Sequence, residues 1–283
     1  MGWTLTTSLD EFRAAAGDFL AAHAAENTVL LTIVDRVDRD GPQVYGEAPP
    51  RYGWWREPDG TVTGATLRTP PYGQRLGRMT GAAAEELARL LAEGPQRPDD
   101  VGGGQESVLV FARELERLTG RGWTVASKER LYRLGELTPP PAPPAGRARL
   151  AVPAERELIA RWLAAFAAEA GVNVPGDLLA DADQRIAAGT LLVWEDDGAR
   201  VTSLAGASPA VAGMSRIGPV YTPPERRGRG YASALTAAAS AHATAGGAAE
   251  VLLYTDLTNP VSNAIYQRIG YVPVGDALHV VFQ

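Results

Sequence analysis

Arg226-Arg227-Gly228-Arg229-Gly230-Tyr231-Ala232 is the stretch on which the fold of this chain turns. It lies between an apolar run at 214–222, expected as a strand, and an alanine-rich segment at 231–245, expected as a helix. Glycines in a strand-to-helix turn let several backbone N–H groups converge on one point. The start of the helix adds about half a positive charge there. Gly228 can adopt a positive φ, and Gly230 has no side chain to block a close approach. Arg226, Arg227 and Arg229 stand together in a chain of net charge −6, so the positive field is local. An anion such as phosphate is the expected ligand; the alternative is a surface turn with solvated arginines.

Upstream stands Ile217-Gly218-Pro219-Val220-Tyr221-Thr222. Pro219 cannot donate to a sheet ladder, and Gly218 suits a bulge. Such a strand is expected to splay from its neighbour, leaving backbone groups at Val220 and Thr222 free to pair with an extended amide-bearing ligand. An edge strand with a tolerated proline is the alternative. Downstream, 249–255 reads as a buried strand. Asn259 then suits an N-cap, Pro260 a first helical position, and Gly270 a helix stop. Helical spacing groups Val261, Ile265 and Ile269, expected to meet the sheet, opposite Asn259, Asn263 and Tyr266, expected to line a cleft.

The stretch from Gly218 to Tyr271 resembles the GNAT superfamily of acyl-CoA-dependent N-acetyltransferases. Arg227-Gly228-Arg229-Gly230-Tyr231-Ala232 stands where that family has its acetyl-CoA signature, although Glu225 occupies the first position in place of Arg or Gln. Asn259…Asn263…Tyr266…Gly270-Tyr271 resembles the second signature. The resemblance implies acetyl-CoA as cosubstrate, held by Val220, Tyr221, Thr222, Arg227, Gly228, Arg229, Gly230, Tyr231, Ala232 and Ser233, with Asn259 and Asn263 beside its arm. It implies Tyr266 as the general acid that protonates the departing thiolate. The activity implied is acetyl transfer to a primary amine of a small-molecule acceptor, by direct attack in a ternary complex. A backbone N–H near Val220 would stabilise the developing oxyanion. For the base that takes the ammonium proton, Glu169 is the first candidate, with Glu195, Asp256 or a water chain as alternatives.

Two rivals use the same residues. A dinucleotide fingerprint needs a third glycine where Ser233 stands, and needs it at the end of a first parallel strand. An acyl-CoA-binding sensor that has lost turnover would keep the turn and leave Tyr266 unexplained.

The chain has 283 residues, 45% hydrophobic and 21% charged, enough for one or two domains with ordinary cores. No cysteine occurs, which excludes disulfides, a Cys nucleophile and thiolate metal sites. His23, His242 and His279 are far apart, so no metal site is expected. The acidic balance argues against nucleic-acid binding. No apolar run is long enough to span a bilayer, and the first residues lack the marks of a signal peptide. The expectation is a cytoplasmic protein, monomer or homodimer, with no membrane or nucleic-acid partner.

Thr138-Pro139-Pro140-Pro141-Ala142-Pro143-Pro144-Ala145-Gly146 reads as a stiff spacer at 138–146, outside any core. It divides the chain into halves, 1–137 and 147–283. The second half reads as helices at 153–170 and 175–188, strands at 191–195, 200–207 and 214–222, then the helix, strand, helix and strand described above, the last at 272–282. That order is the GNAT order, which makes this half the expected catalytic domain. The first half reads as a worn copy: a capping box at Ser8 and Glu11 opens a helix to about 25. Strands follow at 29–34, 53–56 and 61–69, helices at 82–92 and 106–118, and a strand at 123–134. No Gly-x-Gly turn precedes its 82–92 helix, so this half is expected to bind no CoA. The fold class is therefore α/β (α+β), with two tandem GNAT-like domains, each a mixed, partly splayed sheet flanked by helices.

Overall fold

The computed structural model describes residues 1–94, 97–171 and 176–283. These divide into two compact units. One comprises Met1–Leu131, Thr255–Thr258 and Pro273–Gln283, the other Tyr132–Tyr254 and Asn259–Val272.

The first unit starts with β1 (Gly2–Thr6), α1 (Leu9–Ala22) and α2 (Thr28–Asp40), followed by β2 (Arg51–Arg56), β3 (Val62–Arg68) and β4 (Gln74–Leu76). Then come α3 (Gly81–Glu93), β5 (Asp100–Gly104), α4 (Gln105–Thr119) and β6 (Trp123–Leu134), the last running on into the second unit. The residues 29–34, expected as a strand, are the first turns of α2. Leu30, Leu31, Val34 and Val37 are buried at helical spacing. The β-branched content of the run imitates a strand, but the period decides.

The second unit carries β7 (Arg147–Leu150), α5 (Arg156–Ala170), α6 (Leu178–Ala187), β8 (Leu191–Glu195), β9 (Val201–Ala207), β10 (Met214–Tyr221), α7 (Tyr231–Ala245), β11 (Glu250–Asp256), α8 (Pro260–Arg268) and β12 (Tyr271–Phe282). The expected start of α6 at Pro175 lies outside the described residues. Element for element this repeats the order of the first half. Within the unit the sheet order is β11-β10-β9-β8-β7, open and mixed, with β10 parallel to β11 and the other pairs antiparallel.

The end of β12 departs from expectation. Read from sequence as the last strand of the second half, its residues from Pro273 onward group with the first unit. There Ala277–Val281 pair antiparallel with Asp100–Gly104 of β5. Leu278, Val280 and Phe282 join Leu87, Phe111 and Leu115 of α3 and α4 in one core cluster. The 138–146 segment carries no regular structure, as expected, yet it is tied down. The Trp194 indole donates to the Ala145 carbonyl at 3.1 Å, and the Thr138 N–H to Ile269 at 3.0 Å.

Candidate active site

Strand β10 is built to part from its neighbour. Its parallel register with β11 covers Met214–Arg216, and among the described residues no further ladder pair joins the two. On the other side, its register with β9 slips between Ile217 and Val220. The slip falls at Gly218-Pro219, where the missing N–H and the bulge were expected. Gly206 on β9 is required as well: a Cβ there would collide with the Gly218 carbonyl oxygen. Beyond the bulge Val220 and Tyr221 pair with Ala205 and Leu204, so their partner-free edge faces the gap. The Thr222 carbonyl is not free as expected, because it accepts from Arg227 Nε at 2.8 Å. The buried Thr222 hydroxyl shares a hydrogen bond with Ser203 Oγ at 2.8 Å.

A short turn then leads into α7. Gly228 and Gly230 have φ of +75° and +82°, so the backbone alternates through the left-handed region and its amides can point inward together. Gly230 is the N-cap of α7, and no side chain caps the helix. Among the described residues, the N–H groups of Gly228 through Ser233 donate to no protein acceptor. Six unengaged amides at a helix start fit the diphosphate of a CoA-type nucleotide. Tyr231 is buried in the core and anchors the helix start from beneath. The Arg229 side chain is exposed and lies against its own turn, with Nη2 3.4 Å from the Glu225 carbonyl.

The corresponding turn of the first half is partly engaged by protein. Gly77 N–H donates to the Ala65 carbonyl at 2.9 Å, and Arg78 N–H to Asn27 Oδ1 at 2.8 Å. Thr80 caps α3, accepting from Ala83 N–H at 3.2 Å. Three donors of this turn are thus satisfied by protein, whereas those of Gly228–Ser233 are not.

Helix α8 differs from expectation in its buried face. Val261 is 66% exposed and Ile265 half-buried, whereas Tyr266 and Ile269 are 9% and 1% exposed. The packed face therefore runs through Tyr266 and Ile269, three residues apart. Asn259 caps the helix, accepting from Ser262 N–H at 3.0 Å. Asn263 donates to the Asn259 carbonyl at 2.7 Å and accepts from the Tyr132 hydroxyl at 3.0 Å. Both asparagines, expected beside the cosubstrate's arm, thus have protein partners. Tyr132 also accepts from Gln267 Nε2 at 3.1 Å. Sequence reading missed Tyr132, since a tyrosine inside a strand pattern looks like any other packing residue.

Tyr266 lies in the second unit's core with its ring 6.1 Å from that of Tyr271. Burial pushes its hydroxyl up to about 12, so it is neutral near pH 7. No described residue engages that hydroxyl. The Tyr271 hydroxyl, in contrast, shares a 2.7 Å hydrogen bond with Ser240.

The acids expected as bases are all engaged. Glu169 pairs bidentately with Arg227 Nη2 at 2.8 and 2.7 Å, both side chains being 48% exposed. Glu195 lies on β8, two strands from β10, held by Arg149 at 2.7 Å and Arg147 at 3.3 Å. The hydrogen bond from Arg149 keeps its carboxyl below the usual range despite desolvation. Asp256 accepts from the N–H and hydroxyl of Thr258 at 2.7 and 2.8 Å.

A parted parallel pair beside an uncapped helix start defines an open-sheet α/β protein with an anion-accepting turn. Residues 157–271 match the model of the Acetyltransferase (GNAT) family. A GCN5-related N-acetyltransferase from Sphaerobacter thermophilus shares the fold with a TM-score of 0.62 at 18% identity, over 98% of this chain and 94% of its own. A GNAT-family acetyltransferase from Colwellia psychrerythraea gives 0.59 at 12%, over 100% and 99%. A tandem GNAT protein from the clavulanic acid biosynthesis pathway, solved without acetyl-CoA, gives 0.56 at 12%, over 100% and 98%. The fold is therefore a tandem GNAT fold, and the chemistry of the family is acetyl transfer from acetyl-CoA. No curated protein matches the chain. No helix among the described residues is long and apolar enough to cross a membrane.

Proposed function

We propose that this chain is an N-acetyltransferase that moves the acetyl group of acetyl-CoA to a primary amine of a small-molecule acceptor in a ternary complex. The observation that carries the proposal is the set of unengaged amides from Gly228 to Ser233 beside the partner-free edge of Val220 and Tyr221. The amides grip the diphosphate, and the strand edge pairs with the amide-bearing arm, aligning the thioester along the gap.

In the reaction the amine nitrogen attacks the thioester carbonyl, the carbon–sulfur bond breaks, and Tyr266 gives its proton to the sulfur. A backbone N–H at Val220 faces the charge that develops on the carbonyl oxygen. At about 12, the Tyr266 hydroxyl is a weaker acid than a thiol near ~8.5. Its value to the reaction is position: a neutral donor without a protein acceptor, meeting charge as it forms. Glu169 suits the base role poorly, because both its oxygens are taken by Arg227 Nη2. We assign Glu169 to holding Arg227, and through it the turn, and leave the ammonium proton to water. The first half, which lacks a Gly-x-Gly turn and has its Gly77 and Arg78 amides held by protein, binds no CoA; the catalytic domain is 147–283 less the end of β12.

The near-complete burial of Tyr266 favours one rival, an acyl-CoA-binding module without turnover. Thiol release from acetyl-CoA with a panel of amines (an aminoglycoside, a polyamine, an amino acid) separates the two. The proposal requires release with at least one amine, slowed about 10²-fold or more in Tyr266→Phe. Binding without release supports the rival.

A further inference from the structure

Helix α8 is nine residues long and starts at a proline, so it is marginal by itself and its placement depends on contacts outside it. Tyr132 reaches the helix face next to Tyr266 from outside with two hydrogen bonds. Tyr132 of β6 is fully buried, and its hydroxyl sits between Asn263 Oδ1 at 3.0 Å and Gln267 Nε2 at 3.1 Å. Asn263 and Gln267 are one turn apart and bracket Tyr266 in sequence.

The hydrogen-bond directions are set all along this chain of groups. Gln267 Nε2 can only donate, so the Tyr132 proton goes to Asn263 Oδ1. Asn263 Nδ2 in turn donates to the Asn259 carbonyl at 2.7 Å. A buried phenol with its donor and acceptor both satisfied is a rigid mount. Tyr266 has no such hydrogen bond; its ring packs in the core 6.1 Å from that of Tyr271, and α8 carries its hydroxyl.

We propose that Tyr132 is a positioning residue for acetyl transfer, fixing α8 through Asn263 and Gln267 so that the Tyr266 hydroxyl meets the leaving sulfur. This rests on the assignment of Tyr266 as the acid.

Tyr132→Phe deletes the hydroxyl and keeps the ring in the core. Gln267→Met removes the donor from an exposed position and leaves the core untouched, so it serves should the first variant fold poorly. In single-turnover thiol release from acetyl-CoA, with the fastest amine of the panel, Tyr132→Phe is expected to slow transfer about tenfold or more, in line with the cost of small misplacements. Gln267→Met should slow it less. Acetyl-CoA affinity should not change, and amide exchange along 260–268 should quicken in the absence of any ligand. Combined with Tyr266→Phe, neither change should slow transfer further, since both act through the same hydroxyl. Losses that multiply in the double variant, or full-speed transfer in both single variants, overturn the proposal. If Tyr266→Phe alone keeps full speed, the acid assignment falls and this role falls with it. If Tyr266→Phe is slow but the Tyr132 and Gln267 variants are not, only the positioning role fails.

Discussion

At Gly230 the chain adopts φ +82° at the N-cap of α7, with only Pro144 Cδ near the place a Cβ would take, at 3.7 Å. An alanine there would meet open space but a strained backbone, costing about 1–2 kcal/mol per left-handed residue. The turn can relieve that strain by rotating, and the amides it aims then diverge. Gly230→Ala is therefore expected to weaken acetyl-CoA binding about tenfold or more while lowering Tm by only a few degrees. Calorimetric titration beside a thermal melt checks both. Much at this scale was legible in sequence: the two glycines, the proline of the bulge and the capping role of Asn259 each follow from backbone chemistry alone. Gly206 and Tyr132 were not, because their importance comes from what a distant strand or helix presses against them. Nor were the ion partners of Glu169 and Glu195, arginines that the fold brings in from other elements.

Among the elements, the long helices other than α2 and the second half's central strands stand where periodicity put them. The short strands β1, β4, β5 and β7 were not legible. β5 reads Asp100-Val101-Gly102-Gly103-Gly104, with poor strand propensity, and is a strand because β4 and β12 flank it. Its pairing with β12 has an electrostatic fastening. Asp100 Oδ1 accepts from His279 Nε2 at 2.8 Å and from Arg75 Nη1 at 2.9 Å. Burial alone would raise the Asp100 carboxyl, but the His279 hydrogen bond and the Arg75 charge outweigh it and hold it below the usual value. A carboxyl lowered in the folded state stabilises fully above its unfolded value, about 3.9, and loses that contribution as the pH falls through the lower folded value. The melting temperature should therefore drop as the pH falls below about 4. Asp100→Asn should start lower at neutral pH and show a shallower acid dependence. Parallel pH profiles for the two proteins would reject the fastening.

Over the whole molecule, the two halves repeat one order of elements but do not divide where the proline segment suggests. The last strand in sequence contributes Leu278, Val280 and Phe282 to the first unit's core. Sequence reading assigned it to the preceding half because chain order is the only guide it has, while pairing with β5 is a long-range choice. Ending the chain at Val272 should therefore damage the first unit, which loses a paired strand and three buried apolar side chains at about 1.5–3 kcal/mol each. Exchange protection should be lost first in β5, α3 and α4; protection retained there would show that β12 is dispensable. For the same reason residues 1–137 alone are no fair test of whether the first half binds a nucleotide. The direct test is a calorimetric titration of the full chain with acetyl-CoA. Saturation at one equivalent per chain is expected, with the turn at Gly228–Ser233 filled and the turn before α3 empty. Two equivalents, or no saturable binding, would contradict the account.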